Sequence, residues 1–349
     1  CEYCDFYSLG GGRDRHVTDD YLQALADHIK ESGQLAPEHL VDTVYFGGGT
    51  PSFFGAENLE KILDEVQRRF RLDPDPEITL EANPDSVNKK TLKKLLRAGF
   101  NRISVGVQSD DDEMLKKLGR PHTFEQARQA VLNAREAGFT NVSVDLMYGL
   151  PNQTLTAWRE TVENVLTLKP DHLSAYALRV EEGTPLFRAV QAGEYTLPDD
   201  ETTLAMQHAA EDFLSQAGYT RYEISNYAKE GRECRHNLLY WSRGEYLGLG
   251  CAAHSLMEET RFSNPERLDE YLAGARAASI ERLTPSDRYE EQVMLGLRTR
   301  EGVPESLFTG REPVVARLID GGFLARENGR VHATQTGADL LNALILELT

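Results

Sequence analysis

Cysteine is scarce in this 349-residue sequence, which contains only four, at positions 1, 4, 234 and 251. So few cysteines exclude a secreted scaffold that depends on disulfide bonds. Cys1 and Cys4 form a CxxC pair, whereas neither Cys234 nor Cys251 has a partner at the spacing of a zinc site. The pair alone is compatible with a thiol redox site, a zinc site or an iron–sulfur site.

Long apolar runs and an excess of positive charge are also absent. No run approaches the roughly 18 apolar residues that span a bilayer, and the first residues lack the basic-then-apolar pattern of a signal peptide. We therefore expect a cytoplasmic protein. The sequence contains 38 Lys and Arg residues but 56 Asp and Glu, and its formal net charge of -18 would repel a nucleic-acid backbone. Nucleic acid is therefore not expected as a partner.

Between about residues 41 and 178, the sequence repeats a unit of a short β-branched strand, a turn and an amphipathic helix. The predicted helix at 58–70 and the helix that begins at the capping box Thr123-Phe-Glu-Gln126 keep apolar residues at helical spacing. One further strand is expected before Cys1, which gives six units, fewer than the eight of a closed barrel. The predicted fold is therefore α/β, a partial (β/α)6 barrel. Its strands are predicted at residues 41–46, 77–82, 102–107, 142–147 and 172–178.

A different pattern follows the repeat, and past about residue 283 it predicts a small, helical, winged-helix-like domain. We therefore divide the chain into domains at residues 1–282 and 283–349. The acidic charge favours a lid or docking role for the second domain over DNA binding. The elements predicted after the repeat are a strand pair at 221–226 and 246–250, a helix at 312–319, a hairpin at 323–333 that turns at Asn328-Gly329, and a helix at 336–348.

Glycines and polar residues follow the predicted strands. Three glycines, Gly47-Gly48-Gly49, come directly after the first strand, and they let the backbone approach a bound molecule and offer it amides and carbonyls. Because the carboxyl ends of parallel strands meet on one rim, we expect a polar small molecule to be held there. The next strands end in the polar residues Glu81, Gln108 and Asp145.

The chain contains, in this order, CEYCDF, FGGGTPS, LEANPDS, NRISVGVQS, LGRPH, DLMYGLPNQT and YEISNYA. Together these segments resemble the radical SAM proteins related to oxygen-independent coproporphyrinogen oxidase. The resemblance extends from Cys1 to about Ser255 and is weaker in the C-terminal domain. It implies a radical SAM barrel in which a CxxxCxxC motif holds a 4Fe-4S cluster. S-adenosylmethionine (SAM) binds the open iron of that cluster and is cleaved to methionine and a 5′-deoxyadenosyl radical.

The resemblance also implies roles for individual residues. Cys1 and Cys4 match the second and third cluster ligands, and the first would lie four residues before Cys1. Because the sequence begins with Cys rather than Met, we interpret it as a fragment that lacks this ligand. The carboxylates among the matched SAM contacts are suited to ribose hydroxyls and to the neighbourhood of the sulfonium. The positions that match SAM contacts are Tyr3, Gly48, Gly49, Thr50, Glu81, Gln108, Arg120 and Asp145.

Two details separate the branches of this family. The oxidases carry a further cysteine two residues after the last cluster ligand, where this sequence has Phe6. The segment from His236 to Trp241 matches HNxxYW, which resembles the signature of HemW-type proteins that bind haem and pass it to other proteins. His236 is suited to ligate haem iron, while Tyr240 and Trp241 offer flat apolar surface to a porphyrin.

The resemblance therefore implies a haem chaperone that needs its cluster and SAM, with haem and haem-requiring acceptor proteins as partners. The alternative is an oxygen-independent coproporphyrinogen III dehydrogenase, which carries out an oxidative decarboxylation in haem biosynthesis. A third hypothesis is a protein-interaction module that retains the barrel without its chemistry. The sequence leaves open whether the protein forms a homodimer and whether it associates transiently with a membrane.

Overall fold

The computed structural model describes residues 1–5, 15–35 and 38–349, so Phe6 lies outside the described residues. These residues form two compact units. The barrel unit comprises residues 1–220 and 225–232, and the C-terminal unit comprises residues 221–224 and 233–349. Among the described helices, none is both long and apolar enough to cross a membrane.

The barrel unit is built on the strands β1 (Leu40–Phe46), β2 (Arg71–Ala82), β3 (Arg102–Gln108), β4 (Val142–Tyr148), β5 (His172–Ala177), β6 (Thr220–Arg221) and β7 (Asn226–Ala228). They form one seven-stranded sheet in the order β1-β2-β3-β4-β5-β7-β6. Neighbours from β1 to β5 are parallel, and β7 is antiparallel to β5. The five strands predicted in the repeat are confirmed, although β2 begins at Arg71 rather than at residue 77.

Helices follow the strands of this sheet, as the repeat predicts. The helix predicted at 58–70 is confirmed as α2, in which Leu59, Leu63 and Val66 are buried at helical spacing. The capping box at Thr123 is also confirmed at the start of α5. The helices of the barrel unit are α1 (Arg15–Leu35), α2 (Ala56–Arg69), α3 (Lys89–Ala98), α4 (Asp112–Lys117), α5 (Phe124–Ala137), α6 (Leu155–Leu166), α7 (Pro185–Gln191) and α8 (Asp200–Gln216).

The core of the barrel unit lies along the middle strands, whose side chains are buried almost without interruption. Leu80, Val105, Val144 and Leu173 each have 0% of their surface exposed and belong to one apolar cluster. Continuous apolar strands are typical of a parallel sheet covered by helices. The polar residues at the strand ends therefore stand out against an apolar background.

The C-terminal unit contains two three-stranded sheets, and its hairpin turns at Asn328 and Gly329 as predicted. Both turn residues have positive φ, 51° and 75°, which a two-residue hairpin turn requires. Its elements are α9 (Arg235–Trp241), β8 (His254–Met257), β9 (Thr260–Ser263), α10 (Leu268–Leu272), β10 (Ser279–Arg282), α11 (Pro285–Gly296), β11 (Val303–Pro304), α12 (Glu312–Asp320), β12 (Leu324–Glu327), β13 (Arg330–Ala333), α13 (Gln335–Asp339) and α14 (Leu341–Leu348).

The strand pair predicted after the repeat is wrong. Residues 221–226 do not form one strand, because the backbone carbonyl of Tyr222 accepts from Arg300 and Glu223 forms an isolated bridge with Thr299. Residues 246–250 form one bridge, from Tyr246, rather than a strand. Beyond it, the N–H of Gly248 donates to the Ser255 hydroxyl at 2.9 Å rather than to a backbone carbonyl.

The single helix predicted at 336–348 is also wrong, since α13 and α14 are separated at Leu340. Leu340 has φ of −114° and ψ of 18°, outside the helical range. The Thr334 side chain caps α13, and the α13 backbone packs closely at Gly337 against the carbonyl of Phe323. These contacts fix α13 by itself, which the apolar periodicity alone does not reveal.

We predict that Thr123→Ala destabilises the protein by about 1 kcal/mol, the usual contribution of a helix N-cap. The Thr123 hydroxyl accepts from Gln126 N–H, and the Gln126 side chain accepts from Thr123 N–H at 2.8 Å. Thr123→Ser is the control, because it keeps the hydroxyl oxygen. Urea unfolding of the full chain gives the free energies, and an equal loss in both variants would contradict the capping role.

Candidate functional site

The Gly-rich loop lies at the carboxyl end of β1. Apart from the glycine and its two chain neighbours, no heavy atom of the described residues lies within 4 Å of the position that a Cβ would take at Gly48 or Gly49. Gly47 differs, because a Cβ there would lie 2.6 Å from the ring of Tyr45 and 3.1 Å from Oε1 of Glu81. The loop thus packs its first glycine tightly and leaves space over the next two. Such space beside backbone amides and carbonyls can hold a polar ligand.

The carboxylate of Glu81, near the end of β2, accepts hydrogen bonds from residues of β1 and of the loop that follows it. The Tyr45 hydroxyl donates to Oε1 at 2.7 Å, and the Gly48 N–H donates to Oε2 at 3.3 Å. Burial raises the pKa of Glu81 to about 7, the Tyr45 hydrogen bond opposes this rise, and the Asp145 carboxylate adds to it. The charge of Glu81 therefore changes close to neutral pH.

Asp145, on β4, is the second carboxylate of the rim. The hydroxyl of Ser104 on β3 lies 2.9 and 3.1 Å from the two carboxylate oxygens. Burial raises the pKa of Asp145, while hydrogen bonds from Ser174 and Ser104 and the charges of two arginines oppose the rise. Because its charge also affects Glu81, the two carboxylates belong to one electrostatic site.

Arg120 brings a positive charge to the same rim, although only 8% of its surface is exposed. Its Nη2 donates to Oδ1 of Asn83 at 2.8 Å and to the carbonyl of Gly106 at 3.0 Å, and its Nη1 donates to Sγ of Cys1 at 3.4 Å. Its Nε has no acceptor among the described residues. A buried guanidinium with an unused donor favours an anionic ligand group such as a carboxylate.

Gln108 ends β3 at an irregularity in the sheet. It has a positive φ of 68°, and the register between β3 and β4 shifts between Gly106 and Gln108. A Cβ at Gly106 would lie 3.0 Å from both Nη2 of Arg120 and Nε2 of Gln108. The missing side chain at Gly106 therefore lets both polar groups approach the sheet end.

The CxxC segment is attached to this rim through the backbone of Glu2. Its N–H donates to the Leu118 carbonyl at 3.0 Å, and its carbonyl accepts from Leu186 N–H at 2.8 Å. Cys1 and Cys4 are free thiols and both are exposed. Two exposed thiols on an anchored segment fit two ligands of an iron–sulfur cluster, although no described group of three or more His, Cys, Asp or Glu could hold a metal ion.

Tyr3, between the two cysteines, is half-buried. It packs against an apolar cluster that includes Met114, Leu118 and Met147. Burial raises its pKa, and the charge of Arg120 opposes the rise. Tyr3 therefore lies at the meeting point of the cysteine segment and the charged rim.

His236 lies in the C-terminal unit, on the short helix α9. Its Nε2 is 2.8 Å from the Tyr240 hydroxyl, and the two rings meet edge to face at 4.7 Å between centroids. Tyr240, which is 41% exposed, meets the ring of Tyr246 in the same way, also at 4.7 Å. No residue of α9 is buried, as assessed over the described chain. Cys234, by contrast, is fully buried at the N-terminus of this helix.

The structure brings together the positions that the sequence singles out for SAM, and it adds residues that sequence reasoning missed. Tyr45 and Asn83 connect the predicted residues across neighbouring strands, and Ser104 and Ser174 hold Asp145. A usable signal was the Asn83-Pro84 pair directly after a buried strand. In the sequence, the two serines are small polar residues within apolar strands, and nothing there indicates that they contact Asp145.

Two family models match the chain: the radical SAM superfamily over residues 1–165 and the HemN C-terminal domain over residues 283–340. The solved structure of coproporphyrinogen III oxidase (HemN) from Escherichia coli has a TM-score of 0.85 and 24% identity, covering 100% of this chain and 86% of that chain. At this identity, the likeness supports the predicted radical SAM fold alone.

Relatives with higher identity carry a different name. The protein named "Heme chaperone HemW" in Mycobacterium tuberculosis (strain CDC 1551 / Oshkosh) is 37% identical over 356 residues, covering 100% of this chain and 91% of the relative. Its namesake in Escherichia coli (strain K12) is 35% identical over 362 residues, covering 99% and 93%. The chain therefore belongs to the HemW family within the radical SAM superfamily.

Proposed function

We propose that this protein is a radical SAM haem chaperone that binds a 4Fe-4S cluster, SAM and haem and delivers haem to acceptor proteins. The observation that carries the proposal is the aromatic group at α9, in which the half-buried His236 and the exposed Tyr240 adjoin Tyr246. Sequence similarity to proteins named heme chaperones supports the same function.

Haem binding is assigned to His236. A neutral imidazole is a common iron ligand, and aromatic side chains next to it can pack against the porphyrin face. Because Nε2 already pairs with the Tyr240 hydroxyl, iron binding at that nitrogen requires this hydrogen bond to break. Trp241, at the end of α9, adds apolar surface to the same short helix.

SAM binding is assigned to the rim of the barrel unit. Arg120 suits the SAM carboxylate, Glu81 and Asp145 suit its ribose hydroxyls, and the loop at Gly48 and Gly49 offers backbone groups to its amino group. The remaining assigned contacts are Tyr3, Thr50 and Gln108. Arg120 additionally contacts the sulfur of Cys1, so the positively charged side chain links the assigned SAM and cluster positions.

Cys1 and Cys4 are assigned as two of the cluster ligands. When bound, the cluster and SAM would supply the radical chemistry. The residues of this chain bind the cofactor, orient it and stabilise its charged groups at a rim where Glu81 and Arg120 are already largely removed from solvent.

We predict that His236→Ala weakens haem binding at least about tenfold and alters the haem absorbance spectrum, because the iron loses a ligand. Tyr240→Phe is the matched control: it keeps the aromatic ring, removes the hydroxyl that occupies Nε2 and should bind haem no more weakly than the unmodified protein. The measurement is haem titration of the full-length, cluster-loaded protein under anaerobic conditions. Absence of binding by every form, together with formation of protoporphyrinogen from coproporphyrinogen III, would favour the dehydrogenase instead.

We predict that SAM affinity falls as pH decreases through about 7. Glu81, whose pKa is about 7, accepts ribose hydrogen bonds through both oxygens only when deprotonated. SAM should therefore bind about tenfold more weakly at pH 6 than at pH 8. Burial is the main cause of this raised pKa, and the groups that modify it are Tyr45, Asp145, the Gly48 amide and Arg102. In Glu81→Gln the profile should become flat, and an unchanged slope in that variant would assign the titration to another group.

We predict that Cys1→Ala and Cys4→Ala each abolish most of the iron uptake during anaerobic reconstitution of the full-length protein. Cys251→Ala is the matched control, because this half-buried thiol donates to the carbonyls of Pro265 and Glu266 at 3.1 and 3.2 Å. Iron content and cluster absorbance are measured together. Failure of the unmodified protein to take up iron would favour the interaction-module hypothesis.

A further inference from the structure

Asn83 follows the last residue of β2, and its backbone is held in place on both sides. Its carbonyl accepts from the N–H and hydroxyl of Ser86 at 3.0 and 2.6 Å, and its N–H donates to the Ser52 hydroxyl at 3.4 Å. The following Pro84 also restricts residue 83 to the extended backbone that it adopts, with φ of −80° and ψ of 142°. The Asn83 side chain therefore projects from a fixed support.

Both ends of the Asn83 amide are used. Oδ1 accepts from Nη2 of Arg120 at 2.8 Å, and Nδ2 donates to the Thr50 hydroxyl at 3.3 Å. Because a guanidinium can only donate, the amide atom that faces Arg120 must be the oxygen, which fixes the orientation of the whole amide. One side chain thus connects the Gly-rich loop after β1 with Arg120.

We propose that Asn83 is a positioning residue that fixes the Arg120 guanidinium for the carboxylate of SAM and ties Thr50 to the same point. This inference rests on the proposed SAM site. Asn83 and the Gly106 carbonyl accept from Nη2, and Sγ of Cys1 accepts from Nη1, which leaves Nε as the guanidinium donor without an acceptor among the described residues. An amide suits this task because it orients the positive charge without neutralising it, whereas a carboxylate at position 83 would compete with the ligand.

The test compares two ligands on the full-length, cluster-loaded protein. S-adenosylhomocysteine and 5′-methylthioadenosine share the adenosine and thioether groups, but only the first carries an amino acid carboxylate. Asn83→Ala should weaken S-adenosylhomocysteine about tenfold, comparable to the loss of one charge-assisted hydrogen bond, and should change 5′-methylthioadenosine less than about twofold. A purely structural role would weaken both ligands equally, and that result would overturn the proposal.

Arg120→Ala and the double variant identify the route of the effect. If Asn83 acts through Arg120, then Asn83→Ala should add little to the loss caused by Arg120→Ala, whereas additive losses would overturn the proposal. If Arg120→Ala weakens S-adenosylhomocysteine but Asn83→Ala does not, the role of Asn83 is refuted while that of Arg120 stands. No loss in Arg120→Ala would instead remove Arg120 from the proposed SAM site, and the role of Asn83 with it.

The matched control is Asn133→Ala on α5, where Oδ1 of Asn133 accepts from the Gln129 side chain at 3.3 Å. It removes the same chemical group away from the rim and should leave both affinities unchanged. If Asn83→Ala does not fold, Asn83→Ser replaces it, because serine is small and polar but too short to reach Arg120. Thermal unfolding of each variant verifies that the compared proteins are folded.

Discussion

Burial of opposite charges at one end of a parallel sheet is the constraint on which the rest of the barrel site depends. Glu81 and Asp145 are removed from water far enough that burial raises the pKa of both, and the charge of Arg102 opposes that rise at both carboxylates, joined by Arg120 at Asp145. Unpaired charges would be unstable in this position, so each one is held by defined hydrogen bonds. Gly47 and Gly106 lack side chains where those hydrogen bonds need the space. The same arrangement prepares the rim for a small ligand that carries charges of both signs.

Much of the fold could be predicted because its signals are local. The β-branched strands, the capping box at Thr123 and the Asn328-Gly329 turn each depend on residues close together in sequence. The sequence also predicted that Glu81, Gln108 and Asp145 lie on a common rim, because parallel strands place their carboxyl ends together. Periodicity alone identified these positions only as polar residues at strand ends. Their proposed roles in SAM binding came from the resemblance of the motifs to the radical SAM family.

The features that could not be predicted depend on contacts between distant parts of the chain. Tyr45 reaches Glu81 across the register of β1 and β2, and Asn83 reaches both Thr50 and Arg120. Nothing in a single strand indicates which neighbour its end residue will contact. The same reason explains the wrong strand at 221–226, because its backbone pairs with the distant residues Thr299 and Arg300.

The two candidate sites differ in a way that matches the two kinds of ligand proposed for them. The rim of the barrel unit, proposed to bind SAM, consists of largely buried groups with fixed partners, which favours precise binding of a small charged molecule. The helix α9 has, by contrast, no buried residue among those described, and Tyr240 exposes 41% of its surface. An exposed aromatic face can contact a large flat ligand on one side while leaving the other side accessible. A carrier needs that access, because a ligand enclosed as completely as the rim groups could not pass directly to a second protein.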